Sequence, residues 1–159
     1  MNKAKLIEKI LAHLAEEMEL YFKVARASHE EATHEQSKAE NKYDTRGLEA
    51  SYLAGGQARQ AAETQATVDA FRKLVPKKFG PKDPIDLTAL VEVQMGTETS
   101  HYFIAPRGGG IEVKIGKKEI FVLSPQSPLG QHLIGRLAGA KFKFGEGRNA
   151  QQCVVASVE

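Results

Sequence analysis

Residues 122–144 read VLSPQSPLGQHLIGRLAGAKFKF, and this stretch predicts one short helix between two strands. Ser127 is predicted as the N-cap, because a serine side chain can accept a hydrogen bond from a free N–H of the first helical turn. Pro128 suits that first turn, and Gly139 is placed beyond the end of the helix. Four apolar residues recur at helical spacing and should face the core: Leu129, Leu133, Ile134 and Leu137.

Short segments with strand character surround this helix. They cover residues 87–95, 99–105, 111–115, 118–124, 140–144 and 151–158. Several alternate apolar and polar residues, as Phe142 and Phe144 do with Lys141 and Lys143. A single helix on one face of a small antiparallel sheet predicts a compact α+β domain.

The first half of the chain is predicted to be helical. No proline precedes Pro76, and apolar or small residues follow steps of four and three along a heptad seam. That seam is Ile7, Leu11, Leu14, Met18, Tyr21, Ala25, Ser28 and Ala32. A second helical run begins near Leu48, with a looser seam through Ala54, Ala58, Ala61, Gln65, Val68 and either Phe71 or Arg72. Two helices joined by a short break at 44–47 predict an antiparallel hairpin.

The hairpin is expected to be slender near its turn. Small residues dominate both seams there, namely Ala32, Ala39, Ala54, Gly55, Gly56, Ala58 and Ala61. Small side chains bury little apolar area, so packing stabilises this end weakly. The predicted organisation is a coiled-coil hairpin over 1–75 with its tip at 41–47, a proline-rich linker over 76–84, and a C-terminal domain over 85–159.

Composition excludes several classes of protein. The 159 residues are 42% hydrophobic and 26% charged, which is typical of a globular protein. A net charge of +2 does not by itself indicate a nucleic-acid binder. Cys153 is the one cysteine, which excludes an intramolecular disulfide, and its apolar run predicts a buried thiol. The charged N-terminus predicts neither a signal peptide nor a membrane span, so a cytoplasmic protein is expected.

The carboxylates at the predicted tip are the candidates for chemistry. Glu40 and Asp44 are four residues apart and would share a helix face, whereas Asp44 and Glu49 lie on either side of Gly47. These acids are either solvated charges and helix caps, or ligands that share a hard divalent cation such as Mg²⁺. The scattered histidines and serines form no comparable pattern for a metal site or a hydrolase.

The chain resembles the bacterial Gre transcript-cleavage factors, GreA and GreB. The specific match is the segment VLSPQSPLGQHLIGRLAGAKFKF, through Ser127, Pro128, Leu133, Ile134, Gly135, Arg136, Gly139 and 141–144. The resemblance implies an N-terminal antiparallel coiled coil followed by a C-terminal domain of FKBP-like fold. It does not imply prolyl isomerase activity, because a fold does not determine a function.

RNA polymerase is the partner that this resemblance implies. The globular domain would dock at the rim of the secondary channel through Ser127, Pro128 and Leu129, and the hairpin tip would reach toward the active centre. Tip acids of the cleaving members help hold a Mg²⁺ of the polymerase, a role that falls here to Asp44 with Glu40 or Glu49. The resemblance thus implies a monomer without catalysis, cofactor or metal of its own, which contacts nucleic acid only through polymerase and no membrane.

The tip departs from the cleaving pattern, in which an Asp and a Glu stand three residues apart. Here DTRGLEASYLA separates Asp44 from Glu49 by five, with Gly47 between them and Arg46 adding positive charge. Three functions therefore stay open. They are a modulator of elongation that stimulates cleavage, a regulator of initiation or inhibitor without cleavage, and a protein-interaction module unrelated to transcription.

Overall fold

The computed structural model describes residues 2–34, 53 and 55–159. In chain order the helices and strands are α1 (Lys3–His34), α2 (Gly55–Arg72), β1 (Leu90–Met95), β2 (Glu98–Ile104), β3 (Glu112–Ile115), β4 (Lys118–Leu123), α3 (Pro128–Leu133), β5 (Lys141–Phe144) and β6 (Gln151–Val158). A 3₁₀ turn, Gly147–Asn149, precedes β6. The chain forms two compact units, Ala12–Asp69 and a second one that combines the residues up to Leu11 with Ala70–Glu159. The predicted architecture of a helical hairpin followed by a sheet domain with one helix is confirmed.

The hairpin is formed by α1 and α2. At 1.5 Å per residue, the 32 residues of α1 extend about 48 Å. Tyr21 links the two helices through a hydrogen bond with Thr64 of α2, and its hydroxyl also donates to Glu17 Oε1 of its own helix at 2.9 Å. The hydrogen bond to Glu17 is the main cause that raises the pKa of Tyr21, and the bond with Thr64 acts in the opposite direction.

The predicted seam of α1 is confirmed in part. Ile7, Leu14 and Ala25 are buried, and Leu11, Met18 and Tyr21 are half-buried. Ser28 is exposed, so the prediction is wrong there, and the side chain of Ala32 lies outside the described residues.

The seam of α2 contains residues that the heptad pattern missed. Ala61, Val68 and Phe71 are buried, whereas Gln65 and Arg72 are exposed, which decides the alternative at the end of the seam in favour of phenylalanine. Thr64 and Thr67, which the heptad pattern left out, are buried where the pattern predicted Gln65. Thr67 can be buried because its hydroxyl donates to Glu63 O of the same helix at 2.9 Å, which satisfies the polar group.

Gly55 and Gly56 stand at the start of α2 and not in a helix interior. Leu53 lies in a bend, and the helix begins at Gly55. The predicted continuous run from Leu48 is therefore wrong at this point. Glycine is destabilising in a helix interior because its backbone loses the most conformational entropy there, and this cost is smaller at a helix end.

The sheet has six strands in the order β3-β4-β2-β1-β6-β5. It is mixed and not wholly antiparallel as predicted, because β2 and β4 pair in parallel with His101 opposite Ile120. The connection over 105–111 causes this arrangement, since it carries the chain past the β4 position to the sheet edge, where β3 begins. The β3–β4 hairpin then returns β4 beside β2.

One sheet face packs against α3. Its buried core is Ile85, Ala89, Val91, Val93, Ile104, Leu129, Leu133, Phe142, Cys153 and Val155. Cys153 is fully buried, as predicted, and burial raises the pKa of its thiol. The central strands are also buried on their other face, through Leu90, Phe103 and Val122. Burial on both faces explains why these strands alternate less clearly than edge strands do.

The proline-rich stretch 76–84 contains neither helix nor strand. It is nevertheless held in place, because the Lys77 N–H donates to Thr88 Oγ1 at 2.9 Å and the Gly80 N–H donates to Asp83 Oδ2 at 2.7 Å. Thr88 has a positive φ of 71° and is buried, an unusual backbone state for a β-branched residue. Among the described residues, none of the helices is long and apolar enough to cross a membrane.

Candidate functional site

The residues predicted to act fall into two groups. The tip acids Asp44, Glu40 and Glu49 lie outside the described residues. Ser127 and Pro128 are described, together with Leu129, and they form the turn that leads from β4 into α3. The geometry of this turn is therefore what the structure contributes to the candidate site.

Ser127 caps α3 as predicted. Its Oγ accepts a hydrogen bond from the Gly130 N–H at 3.1 Å and donates one to Ser124 O at 2.7 Å. The Ser127 N–H also donates to Ser124 O, at 3.1 Å. One serine thus fixes both the first turn of the helix and the end of the preceding strand, and Pro128 occupies the first helical position.

Gly130 allows the helix to approach this turn. A Cβ at Gly130 would lie 2.0 Å from Ser124 O and 2.8 Å from Ser127 Oγ. Both distances are far below a normal contact, so no side chain fits at this position without moving the backbone. Residues 127–130 (SPLG) therefore form one structural unit, in which Ser127 caps the helix and Gly130 leaves room for the close approach of Ser124.

The helix is shorter than predicted. It ends at Leu133, and its cap residue Ile134 donates its N–H to Gly130 O at 3.0 Å. Gly135 then takes a positive φ of 78°, the role that the prediction gave to Gly139. The helix ends early because the backbone after it pairs with Ile85, 50 residues earlier in the chain. The Gly135 N–H donates to Ile85 O and the Ile85 N–H donates to Arg136 O, both at 2.8 Å.

Early termination exposes two large apolar side chains. Ile134 is 37% exposed and Leu137 is 45% exposed, so the prediction that they face the core is wrong. Of the predicted docking residues, Pro128 is exposed and Ser127 is half-buried, while Leu129 is buried in the core. The docking role of these residues stays a prediction, and Ile134 and Leu137 form an apolar surface beside them that sequence reasoning missed.

Aromatic and cationic groups lie beside this surface. The His132 ring stacks on Phe142 with centroids 5.6 Å apart and meets the edge of Phe144 at 5.7 Å. The guanidinium carbon of Arg136 lies 5.0 Å from the centroid of Phe142, and Arg136 Nε donates to His132 O. The alternating KFKF strand was the sequence signal for these rings. We name the exposed residues Pro128, His132, Ile134 and Leu137, together with the half-buried Arg136, the α3 surface.

The α3 surface is suited to recognition. Apolar residues with an arginine and stacked rings are typical of protein-binding surfaces.

Within residues 2–34, 53 and 55–159, no group of three or more His, Cys, Asp or Glu side chains could hold a metal ion.

Comparisons with known proteins point in one direction. No protein-family model matches the sequence, and no curated protein does. Among solved structures, GreA factor homolog 1 (Gfh1) of Thermus thermophilus matches with 18% identity and a TM-score of 0.39, over 98% of this chain and 93% of that one. Gfh1 of Thermus aquaticus matches with 16% identity and a TM-score of 0.38, over 92% of each chain.

A GreA/GreB transcription elongation factor from Nitrosomonas europaea matches with 14% identity and a TM-score of 0.37, over 70% of this chain and 87% of that one. At such TM-scores the superpositions carry no argument about function, so any functional proposal rests on the residues of this chain. The matched proteins are Gre factors and GreA homologues, the family that the sequence resembles.

Proposed function

We propose that this protein binds RNA polymerase and modulates transcript elongation by inserting its hairpin tip into the secondary channel. The observation that carries the proposal is the combination, in one chain, of a two-helix hairpin and a sheet domain whose SPLG segment is a rigid capped unit. The Gre-like sequence match lies in that same segment, and its serine, proline and glycine each have a defined structural purpose.

The α3 surface is the proposed docking site. Pro128 follows the Ser127 cap directly. Ile134 and Leu137 are exposed on a segment whose backbone is hydrogen-bonded to Ile85. Apolar residues that are fixed before binding lose little conformational entropy when they dock, which favours affinity. Arg136 adds a cationic group that would favour an acidic partner surface.

The hairpin is the proposed delivery element. The helix α1 alone has 32 residues and extends about 48 Å. Asp44, with Glu40 or Glu49, would act at the tip by helping to hold a Mg²⁺ ion of the polymerase. In this proposal the protein is a cytoplasmic monomer that stimulates the polymerase's own chemistry and needs no cofactor of its own.

The tip sequence favours a second candidate, a Gre-like regulator that does not stimulate cleavage. Asp44 and Glu49 are five residues apart with Gly47 between them, and Arg46 places a positive charge beside the acids. A cation next to paired carboxylates competes with a metal ion for them. Such a tip would enter the channel and alter initiation or inhibit elongation.

A transcript-cleavage assay on a backtracked elongation complex tests the proposal. The wild-type protein is compared with Asp44→Ala and with Glu16→Ala, which removes an exposed carboxylate of α1 far along the chain from the tip. Faster cleavage that D44A loses and E16A keeps would support the cleaving function. Slower elongation or altered initiation that D44A relieves would support the second candidate. No effect of the wild-type protein on any step would refute both and would favour an interaction module outside transcription.

A further inference from the structure

The strand β5 lies at one edge of the sheet. It ends the strand order β3-β4-β2-β1-β6-β5, and among the described residues β6 is its one neighbour. Backbone N–H and C=O groups on the outer side of such a strand form no hydrogen bond within the sheet. They can pair with the backbone of an added strand, which is a common way for a protein to bind an extended peptide.

The hydrogen-bond pattern shows which residues of β5 direct their backbone groups outward. The Val155 N–H donates to Ala140 O at 2.9 Å. Hydrogen-bonded positions recur at every second residue of an antiparallel pair, so the next ones on β5 are Phe142 and Phe144. The two lysines of the KFKF strand alternate with these phenylalanines. Their N–H and C=O groups therefore point away from β6, toward the free edge.

The two faces of β5 differ in their side chains. Phe142 is buried and Phe144 half-buried on the face that packs against α3. Lys141 and Lys143 are exposed, and they lie on the opposite face because side chains alternate along a strand. Their cross-strand neighbours on β6 are a valine and a glutamine, so no carboxylate of β6 lies opposite these two cations.

We propose that the free edge of β5 binds an extended acidic segment of a partner protein as a further, antiparallel strand of the sheet. Acidic side chains opposite Lys141 and Lys143 would form cross-strand pairs of opposite charge, which stabilise a sheet. Apolar side chains at the alternate positions would lie on the other face, beside the Phe144 ring. The segment recognised therefore alternates acidic and apolar residues. The proposal does not rest on the proposed function, because neither polymerase nor the hairpin tip takes part in it.

Charge disfavours a second copy of β5 as the occupant. If two KFKF strands paired in antiparallel fashion, lysines would stand opposite lysines, and like charges directly opposite each other are destabilising. The lysines that protect this edge from self-association thus also select a partner of opposite charge.

The backbone disfavours a nucleic acid at the same edge. Phosphate oxygens only accept hydrogen bonds, so they would satisfy the outward N–H groups of Lys141 and Lys143 but give no partner to the two carbonyl groups. A peptide strand supplies donors and acceptors in alternation, which matches both kinds of group.

Nuclear magnetic resonance of the full-length, isotope-labelled protein tests the proposal. The probe is the acetylated and amidated peptide EVEVE, added up to about 1 mM so that weak binding is detected. The amide signals of Lys141 and Lys143 should shift, and their hydrogen exchange should slow, because both N–H groups gain a hydrogen bond. The amide of Phe142 is the internal control, since its bond to β6 exists before the peptide binds.

Modified peptides test the strand pairing itself. In the proposed pair the glutamates stand opposite the lysines and direct their N–H groups toward β5, whereas the valines direct theirs to solvent. N-methylation of the glutamates should therefore abolish binding, and N-methylation of the valines should preserve it. Equal binding of the two methylated peptides would overturn the proposal, as would unchanged Lys141 and Lys143 amides in the presence of EVEVE.

Two protein variants test the charge selection. Lys143→Glu should weaken binding of EVEVE by about fivefold or more, because a favourable cross-strand pair becomes an unfavourable one. Lys117→Glu is the matched control, since Lys117 is an exposed lysine in the β3–β4 turn, at the other edge of the sheet. It should change the affinity by less than about twofold, because distant surface charges are screened. Equal effects of K143E and K117E would refute the charge selection.

Two further measurements decide between occupants. Binding of an oligothymidylate to this edge in preference to EVEVE would assign the edge to a nucleic acid. Slow exchange of the Lys141 and Lys143 amides in the concentrated protein without peptide would assign it to a second copy of the chain. Either result would overturn the proposal, which expects neither.

Discussion

Gly130→Ala is the substitution for which the structure implies the largest local conflict. The added Cβ would lie 2.0 Å from Ser124 O and 3.0 Å from Ser124 C, so the two backbones must separate by more than an ångström. Ser124 cannot move freely, because its carbonyl accepts hydrogen bonds from both the N–H and the Oγ of Ser127. Separation would break the cap as well as create strain.

The expected destabilisation follows from these two effects. Overpacking of a buried site costs about 1–3 kcal/mol, and loss of a serine N-cap costs about 1 kcal/mol. Gly130→Ala should therefore lower the free energy of unfolding by about 2–4 kcal/mol. Urea unfolding followed by tyrosine fluorescence and near-ultraviolet circular dichroism measures this, since the chain has no tryptophan.

Gly109→Ala is the matched control. This glycine also lies beside Ser124, but its Cβ would meet the nearest atom at 3.7 Å, an ordinary contact. Its effect should stay within about 0.5 kcal/mol, as is usual for a substitution without a steric conflict. If G130A and G109A unfold at the same urea concentration with the same slope, the close approach of α3 to Ser124 is not a feature of the native protein.

Three further results are expected. Phe71→Ala should destabilise the protein by about 3–5 kcal/mol and Arg72→Ala by less than about 0.5 kcal/mol, because the first side chain is buried and the second exposed; equal urea midpoints would contradict this choice of seam. Ser127→Ala should cost about 1 kcal/mol in the same assay, and an unchanged midpoint would show that the cap contributes nothing. Cys153 should react with a thiol reagent only in denaturant, because burial excludes the reagent and raises the thiol pKa; rapid reaction of the native protein would contradict its burial.

Local signals predicted the features whose causes are local. Ser127 was identifiable as a cap because serine is favoured at the N-cap of a helix and proline at the first helical position. Cys153 was identifiable as buried because its neighbours are apolar. The α+β architecture followed from the change of hydrophobic period along the chain.

Features that depend on contacts between residues far apart in the chain could not be predicted from the sequence. The end of α3 is set by backbone bonds between Gly135 and Ile85, which no local pattern encodes. The parallel pairing of β2 with β4 depends on where the 105–111 connection crosses. Thr64 is buried and has the Tyr21 hydroxyl on the other helix as a hydrogen-bond partner, which a heptad of apolar residues does not reveal.

The candidate sites also divide into residues that the sequence predicted and residues that only the structure revealed. The tip acids were singled out from their position at the predicted turn, their spacing and the resemblance to Gre factors, and they stay a prediction because they lie outside the described residues. The exposure of Ile134 and Leu137 became visible only when the early end of α3 was known.

Direct binding to core RNA polymerase tests the central claim most directly. The full-length protein and its Pro128→Asp variant are titrated against core enzyme, and the dissociation constants are compared. The proline side chain is exposed, so the variant should keep its fold, which circular dichroism would verify. The proposed function predicts binding of the wild-type protein at micromolar concentration or below, weakened at least about tenfold in P128D, since loss of a central apolar contact costs about 2 kcal/mol or more and about 1.4 kcal/mol already corresponds to tenfold. Absence of binding by the wild-type protein at micromolar concentration would contradict the account.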